Sequence, residues 1–437
     1  MKIQVFVLIG ALTLAAGCRP PVPEHSVDDV THETVEQETS DDIIDSTIDT
    51  VQDNMTMNTG MKSIEITGAP VLNVYVENSG SMDAYVSGGS DLRNVVHTYV
   101  SNVGMSAVQC RETNMYFINS KIIPQGSDIN KFVNNITPQK FRTAGGKRGA
   151  SDMADIFQRI VPSTNDTISI LVSDCIVSPG SADASEYLGQ QKGNIETTFF
   201  NYAKQPNMSV LVYRFEGNFN GNYYDKTNKA SKYTGKRPFY LWVIGSDKYL
   251  QEFRHFESRL NAKIQNKCIF THHQDAINYA IILNKRYKPS KKDPKHSIEK
   301  AKLAVMPTSN GKKVLTIPIN VDYSKLLVNE AYLMDVKNYQ TDNDNYKVIS
   351  VKKSNSSDYT HTVTVQATSN AATTVTISLL NRLAGWVYHF NEEDGTAIAG
   401  TENEDKTYAL KYVMGGVHDA FTRETDKLCE FSININK

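Results

Sequence analysis

Cysteine and tryptophan are scarce in this chain of 437 residues, which contains five cysteines and two tryptophans. The four cysteines that follow Cys18 are far apart and include no Cys-x-x-Cys pair. The sequence therefore argues against a zinc site and favours buried free thiols over disulfides. Neither a His-Glu-x-x-His motif nor a Gly-x-Ser-x-Gly turn occurs, so two recognisable hydrolase signatures are absent from the sequence.

Neither positive nor negative charge is in large excess, since the chain has 46 Lys and Arg residues and 48 Asp and Glu residues. This balance gives no reason to expect a nucleic acid or a strongly acidic partner. Hydrophobic residues make up 40% of the chain and charged residues 22%, which is typical of a soluble globular protein. The length is sufficient for two or three domains.

The N-terminus is arranged like a secretory signal, with Lys2, an apolar core from Ile3 to Leu14, and small residues before Cys18. The apolar core is too short to span a bilayer. A cysteine at this point resembles the processing site of bacterial lipoproteins, and the resemblance implies that the Cys18 thiol is acylated. Residues 1–17 are therefore predicted to be a lipoprotein signal peptide, and the expected location is the cell envelope, at the outer membrane.

Residues 18–62 are rich in acidic residues, include three prolines close to Cys18, and contain no aromatic residue. Such a segment buries too little apolar surface to offset the entropy lost on ordering. It is predicted to be an acidic, disordered tether that holds the folded part of the chain away from the membrane.

An apolar run from Val71 to Val76 stops at Glu77 and is followed by the hydroxyls of Ser79 and Ser81. This pattern predicts a buried strand that delivers oxygen atoms to the edge of a sheet. The stretch is the strongest indication of a functional site in the sequence.

Two later stretches also place a polar side chain at the end of a predicted strand or at the start of a predicted helix. A strand-like run over Thr167–Ser173 ends at Asp174, and a Gly-rich loop precedes Ser151 at the start of a helix. Because the carboxyl ends of parallel strands meet at one edge, Glu77 and Asp174 should converge if their strands are neighbours.

The three stretches together resemble the metal-ion-dependent adhesion site of von Willebrand factor A domains, which begins with Asp-x-Ser-x-Ser. The resemblance covers about residues 68–285 and differs at two positions, where Glu77 replaces aspartate and Ser151 replaces threonine. It implies that Mg²⁺ or Mn²⁺ is bound, and hard cations prefer such oxygen ligands. The implied ligands are Glu77, Ser79, Ser81, Ser151 and Asp174.

Strands and helices alternate over residues 63–285, which predicts an α/β domain with a largely parallel, Rossmann-type sheet flanked by helices, as in the family. Residues 286–300 are basic and contain two prolines, and they are predicted to be a solvated linker rather than a phosphate or membrane-surface patch. Residues 301–437 alternate Thr and Val, which predicts a smaller β-sandwich-like domain with one late helix. Whether that helix and the closing strand return to the first domain is left open.

A polar, Gly- and Asn-rich stretch over residues 215–237 contains four aromatic residues, which are Phe219, Tyr223, Tyr224 and Tyr233. Aromatic rings on a loop can form a flat platform for sugars or peptides. The alternative, that the rings fold inward and fix the loop, is the interpretation favoured here.

These observations favour a non-enzymatic binding or adhesion module, tethered in the cell envelope, that holds a partner carboxylate through a metal or presents the same sheet edge without one. The alternative is an envelope hydrolase or a glycan-binding protein that uses the aromatic stretch 215–237. No nucleophile or acid–base pair occurs in a recognisable context, so we favour the binding module. The expected partners are a protein or glycan of the envelope and, through the lipid anchor, the membrane.

Overall fold

A computed structural model describes residues 68–436, apart from 105–107, 150–151, 181–182, 255–256, 258–263, 300, 303, 306–312 and 397. The described chain is a mixed α/β protein with several sheets and helices. The predicted signal peptide, the whole of the predicted tether including Cys18, and Ser151 lie outside the described residues.

The first sheet has seven strands in the order β3-β2-β1-β4-β6-β5-β7. The residues at the centre of the sheet are almost all buried, because both faces of the sheet are covered. The strands are β1 (Val71–Glu77), β2 (Glu112–Ile118), β3 (Ile122–Gly126), β4 (Thr167–Ser173), β5 (Met208–Tyr224), β6 (Ala230–Ser246) and β7 (Asn266–Phe270).

Only the centre of this sheet is parallel, with β1 paired to β2 on one side and to β4 on the other. The four remaining pairings are antiparallel, so the prediction of a largely parallel sheet is wrong. The reason is the segment 215–237, which forms no irregular insertion but extends β5 and β6 into one long hairpin. A short hairpin connection requires antiparallel strands, and it places β6 between β4 and β5.

Helices pack on both faces of the first sheet, and a buried cluster of side chains lies on each side. The helices that contribute to the first cluster are α1 (Asp83–Gly88), α2 (Asp91–Gly104), α3 (Ile129–Asn135), α4 (Pro138–Thr143) and α7 (Asp247–Arg254). The other cluster includes α5 (Met153–Ile160) and α6 (Ala184–Ala203). Helix α6 is continuous through Gly189 and Gly193, both of which are exposed.

The rest of the chain forms two five-stranded sheets that share a third buried cluster. One has the order β13-β16-β19-β10-β9, and the other has the order β11-β12-β15-β14 with β8 on β12. The strands are β8 (Asn278–Ile281), β9 (Lys288–Pro289), β10 (Ser297–Glu299), β11 (Ala304–Val305), β12 (Lys313–Asp322), β13 (Tyr339–Thr341), β14 (Tyr346–Lys353), β15 (His361–Ala367), β16 (Thr373–Leu380) and β19 (Lys427–Asn436). Helix α8 (Glu330–Met334) and a 3₁₀ turn (Val336–Asn338) lie between β12 and β13.

The segment 286–300, predicted as a linker, is part of these sheets. Strands β9 and β10 lie within it, and β8 pairs with β12 although it precedes residue 286. The chain therefore leaves the first sheet after Phe270 and joins a later sheet at Asn278, so the boundary between the two parts does not lie at 286–300.

The late helix, whose placement the sequence left open, returns to the first sheet. After β16 the chain forms α9 (Gly385–His389), the paired strands β17 (Asn391–Glu392) and β18 (Thr407–Tyr408), and α10 (Leu410–Thr422). Helix α10 packs on α6, where a Cβ atom on Gly416 would lie 2.7 Å from the Lys192 carbonyl oxygen. The closing strand β19 then pairs with β10 and β16, so the chain crosses between the two parts more than once.

No helix within the described ranges is long and apolar enough to cross a membrane.

Candidate functional site

The ends of β1 and β4 bring the two predicted carboxylates to the same edge of the first sheet. The strands are parallel neighbours, with Val76 opposite Val172, so Ser173 lies beside Glu77 and Asp174 follows one residue further along. Both side chains are buried. The Ser173 hydroxyl, at the end of β4, donates a hydrogen bond to Glu77 Oε2 and accepts one of 2.8 Å from the Cys175 N–H.

The turn after β1 presents two hydroxyls beside these carboxylates. Ser79 Oγ and Ser81 Oγ are 3.1 Å apart and both residues are buried. The structure therefore brings together four of the five predicted ligands: Glu77, Ser79, Ser81 and Asp174. The fifth, Ser151, lies outside the described residues, and the described chain resumes at Asp152, which caps α5 through the Asp155 N–H.

Arg148 fixes the geometry of this turn. Its guanidinium donates to the carbonyl oxygens of Asn78 at 2.6 Å and Ser79 at 3.0 Å, and it forms an ion pair with Asp83. The Arg148 carbonyl in turn accepts a 2.9 Å bond from the Gly80 N–H. Because both the main chain and the side chain of Arg148 hold the turn, the serine hydroxyls are presented on a constrained backbone.

Asp174 is only partly satisfied by hydrogen bonds. Its Oδ1 accepts a 3.2 Å bond from the Ile176 N–H, whereas its buried Oδ2 has no hydrogen-bond partner within the described part of the chain. Burial raises the pKa of Asp174 above its usual range, and the neighbouring charge of Glu77 raises this pKa further. The Ser81 hydroxyl has the opposite effect on it. A cation near Asp174 would therefore favour its charged form.

Two buried arginines lie near the site on the long hairpin. Arg214 on β5 and Arg237 on β6 are each 1% exposed. Arg237 Nη1 donates to the carbonyl oxygens of Asn403 at 3.2 Å and Glu404 at 2.7 Å, and Arg214 Nη2 donates to that of Asp405 at 2.9 Å. Each arginine thus joins the first sheet to the loop before β18.

Both guanidinium groups also pack against aromatic rings. Arg214 lies 3.7 Å from the centroid of Phe390, and Arg237 lies 5.1 Å from that of Tyr223. The Nε and Nη2 atoms of Arg237 are buried without a hydrogen-bond partner among the described residues. The positive charge of Arg237 lowers the pKa of Asp174, although less than burial raises it.

A small open cavity of about 70 Å³ lies directly above the serine turn. The residues that line it include Ser79, Ser81, Arg148, Ser178, Tyr224 and Asn228. The tip of the hairpin forms one wall, where Asn228 Nδ2 donates a 2.7 Å bond to the Gly149 carbonyl. This volume is large enough for several water molecules or for a small ligand group.

The four aromatic residues of the hairpin do not form a platform. Phe219 and Tyr223 are each 1% exposed and Tyr233 is 8% exposed, because alternate residues of a strand point to the same side and these point inward. Phe219 packs edge-on against Tyr85 of α1. Tyr224 points to the other side and lines the cavity, so it alone of the four is placed to touch a ligand there.

The donor set fits a hard divalent cation. Two carboxylates and two hydroxyls converge, and the partnerless Asp174 Oδ2 is a buried acceptor of the kind that Mg²⁺ or Mn²⁺ prefers. No group of three or more His, Cys, Asp or Glu side chains suited to a metal occurs in the residues that the structure describes, so any site here depends on serine oxygens.

Sequence reasoning missed three residues of the site, which are Ser173, Arg148 and Arg237. Ser173 ends the apolar run of β4, and its position next to Asp174 is a signal that could have indicated it. Arg148 and Arg237 donate hydrogen bonds to residues 65 or more positions away, and no local pattern marks such contacts.

Comparisons of this chain with models of known protein families, with curated proteins and with solved structures give no match.

Proposed function

We propose that this chain is a non-enzymatic binding module of the cell envelope, built on a von Willebrand factor A-like first part and a β-sandwich-like second part. The observation that carries the proposal is the convergence of Glu77, Ser79, Ser81 and Asp174 at the ends of two parallel strands, below an open cavity. The order of these residues along the chain is that of the family.

In this proposal Ser79, Ser81 and Asp174 are the residues that would hold Mg²⁺ or Mn²⁺, with Glu77 behind them and Ser151 as a further hydroxyl. A bound cation would supply a Lewis-acidic position for a carboxylate or other oxygen of a partner. The chain itself supplies the rest: Arg148 holds the turn, and Tyr224 lines the cavity above it. A protein or a glycan of the envelope would present the oxygen, and the ring of Tyr224 favours contact with either.

Calorimetric titration with Mg²⁺ and Mn²⁺ tests the proposal. The wild-type chain is expected to give binding heat at about millimolar metal, because few charged ligands are available. Asp174→Asn keeps the shape of the side chain but removes its charge and should abolish the heat, and Ser79→Ala should weaken binding. Ser178→Ala, which alters the cavity wall outside the ligand set, is the matched control and should bind as wild type. Absence of heat from the wild type, or equal heat from Asp174→Asn, would refute metal binding at this edge.

We further propose that the module is attached to the membrane through Cys18. The support is the order of charge, apolar core and small residues before this cysteine, followed by the acidic tether. Metabolic labelling with a fatty-acid analogue should mark the wild-type chain and leave Cys18→Ala unlabelled. Equal labelling of the two chains would exclude acylation at Cys18.

A further inference from the structure

The turn between β8 and β9 presents two neighbouring aliphatic side chains to solvent. Ile282 is 37% exposed and Leu283 is 49% exposed. Among the described residues, only Met334, Ile349 and Tyr388 are other large apolar residues that are exposed to this degree, and none of these is adjacent to another in the sequence. A pair of exposed aliphatic residues is therefore unusual in the part of the chain that the structure describes, whereas isolated ones are ordinary.

Basic residues follow this pair directly and are exposed as well. Over residues 282–295 the chain has six basic residues and one acidic residue, Asp293. The basic residues are Lys285, Arg286, Lys288, Lys291, Lys292 and Lys295, and all six are exposed. None of them forms an ion pair with another described residue, whereas the Asp293 carboxylate bonds to His296 and Ser297. Within the described ranges, the positive charge of this surface is therefore not neutralised by ion pairs, although Glu299 on β10 lies opposite Lys288.

The segment is held on an ordered frame, although its composition predicted a linker. Tyr287 is 4% exposed within the third buried cluster, and its hydroxyl donates to the Ile282 carbonyl. Asn284 Oδ1 accepts a 2.8 Å bond from the Arg286 N–H, and the Lys295 carbonyl accepts one of 2.8 Å from the Ile281 N–H. Because the Tyr287 side chain is buried, residues 282–286 are held at the surface, and all five are exposed.

We propose that this surface, made of Ile282, Leu283 and the six basic residues, docks on an anionic lipid bilayer. Basic side chains near a membrane are attracted to anionic headgroups, and aliphatic side chains between them gain by entering the interface. A nucleic acid or an acidic protein would satisfy the charges but gives no role to two exposed aliphatic residues. The surface acts independently of Cys18 and of the cavity above Ser79.

A site-specific fluorescence measurement tests the proposal on the full chain carrying Cys18→Ala, so that no acyl group contributes. Leu283→Trp introduces a reporter at the tip of the turn, and Ile349→Trp places the same reporter at an exposed position on β14, at the opposite edge of that sheet from β8. Both variants retain the two native tryptophans, whose emission is removed by subtracting the spectrum of the parent chain with Cys18→Ala recorded under the same conditions. Vesicles of phosphatidylcholine with about one-third phosphatidylglycerol should shift the emission of Leu283→Trp to shorter wavelength and leave that of Ile349→Trp unchanged.

Charge dependence is tested by adding Lys285→Gln and Arg286→Gln to Leu283→Trp. Partitioning to anionic vesicles should weaken about 30-fold, since each basic residue near such a surface contributes about 1 kcal/mol. Vesicles of phosphatidylcholine alone should give no shift. If Leu283→Trp does not fold, as judged by circular dichroism, Ile282→Trp serves as the reporter.

Three results would overturn the proposal. The first is an unchanged emission of the reporter with anionic vesicles, and the second is an equal shift with uncharged vesicles. The third is a response to duplex DNA without a response to vesicles, which would assign the basic residues to an anionic polymer.

Discussion

Replacing Arg237 with methionine should lower the free energy of unfolding by about 3 kcal/mol. Methionine fills much of the same volume, but it cannot donate to the carbonyl oxygens of Asn403 and Glu404, and an unsatisfied buried acceptor costs about 1–3 kcal/mol. The buried Asp174 carboxylate would also lose a nearby positive charge. A smaller effect acts in the opposite direction. Burying a guanidinium with two partnerless nitrogens destabilises the folded state, so removing it restores part of the lost free energy of unfolding.

Urea denaturation of the wild type and of Arg237→Met measures this difference. Arg111→Met is the matched control, because Arg111 is half exposed and pairs with Asp166 at the surface. Its effect should stay within about 1 kcal/mol, as for most exposed ion pairs. If Arg237→Met is as stable as the wild type, the partnerless nitrogens outweigh the two carbonyl bonds, and Arg237 does not stabilise the join between the hairpin and the loop before β18.

Replacing Gly88 with alanine should destabilise the fold by about 2–3 kcal/mol through overpacking. Gly88 ends α1, and a Cβ atom there would lie 2.6 Å from the Asn218 carbonyl oxygen and 2.8 Å from the Phe219 nitrogen. These are main-chain atoms of β5, which is paired with β6 along its whole length, so they cannot move aside cheaply. Because α1 follows the serine turn, the displacement should also weaken metal binding in the calorimetric titration.

Gly189→Ala is the control for the same chemical change without the clash. Gly189 is an exposed position within α6, and a Cβ atom there would meet nothing within 4 Å. Alanine in a helix interior is favoured over glycine by up to about 1 kcal/mol, so this variant should be more stable than the wild type. Equal denaturation midpoints for Gly88→Ala and the wild type would show that α1 can shift away from the hairpin at little cost.

Local patterns predicted the elements that hold the site. The apolar runs before Glu77 and Asp174 correspond to β1 and β4, and their parallel pairing brings the carboxylates together, as the ends of parallel strands require. The helix that was predicted to start near Ser151 corresponds to α5, in which Met153, Ile156 and Phe157 follow the helical period and are buried. These features depend on residues close in the sequence, and sequence reasoning succeeds there.

The long hairpin was missed because its glycines and asparagines have low strand propensity. Its signal was the alternation of Phe219, Gly221 and Tyr223, which all face the same side of β5. Gly221 is small because α1 crosses at that point, where a Cβ atom would lie 2.7 Å from Ala84 Cβ. The composition of this segment indicates a loop, whereas its period of two indicates a strand. The close packing of α1 against Gly221 is compatible only with the strand.

The return of α10 to the first sheet has a consequence for the timing of folding. Part of the apolar surface of α6 and β7 is covered only when residues 410–422 arrive, long after the last strand of that sheet ends at Phe270. At ordinary rates of synthesis this interval is on the order of ten seconds. The contacts that complete the first sheet thus have high contact order and slow its folding. A growing chain therefore stays short of its native state until it is nearly complete.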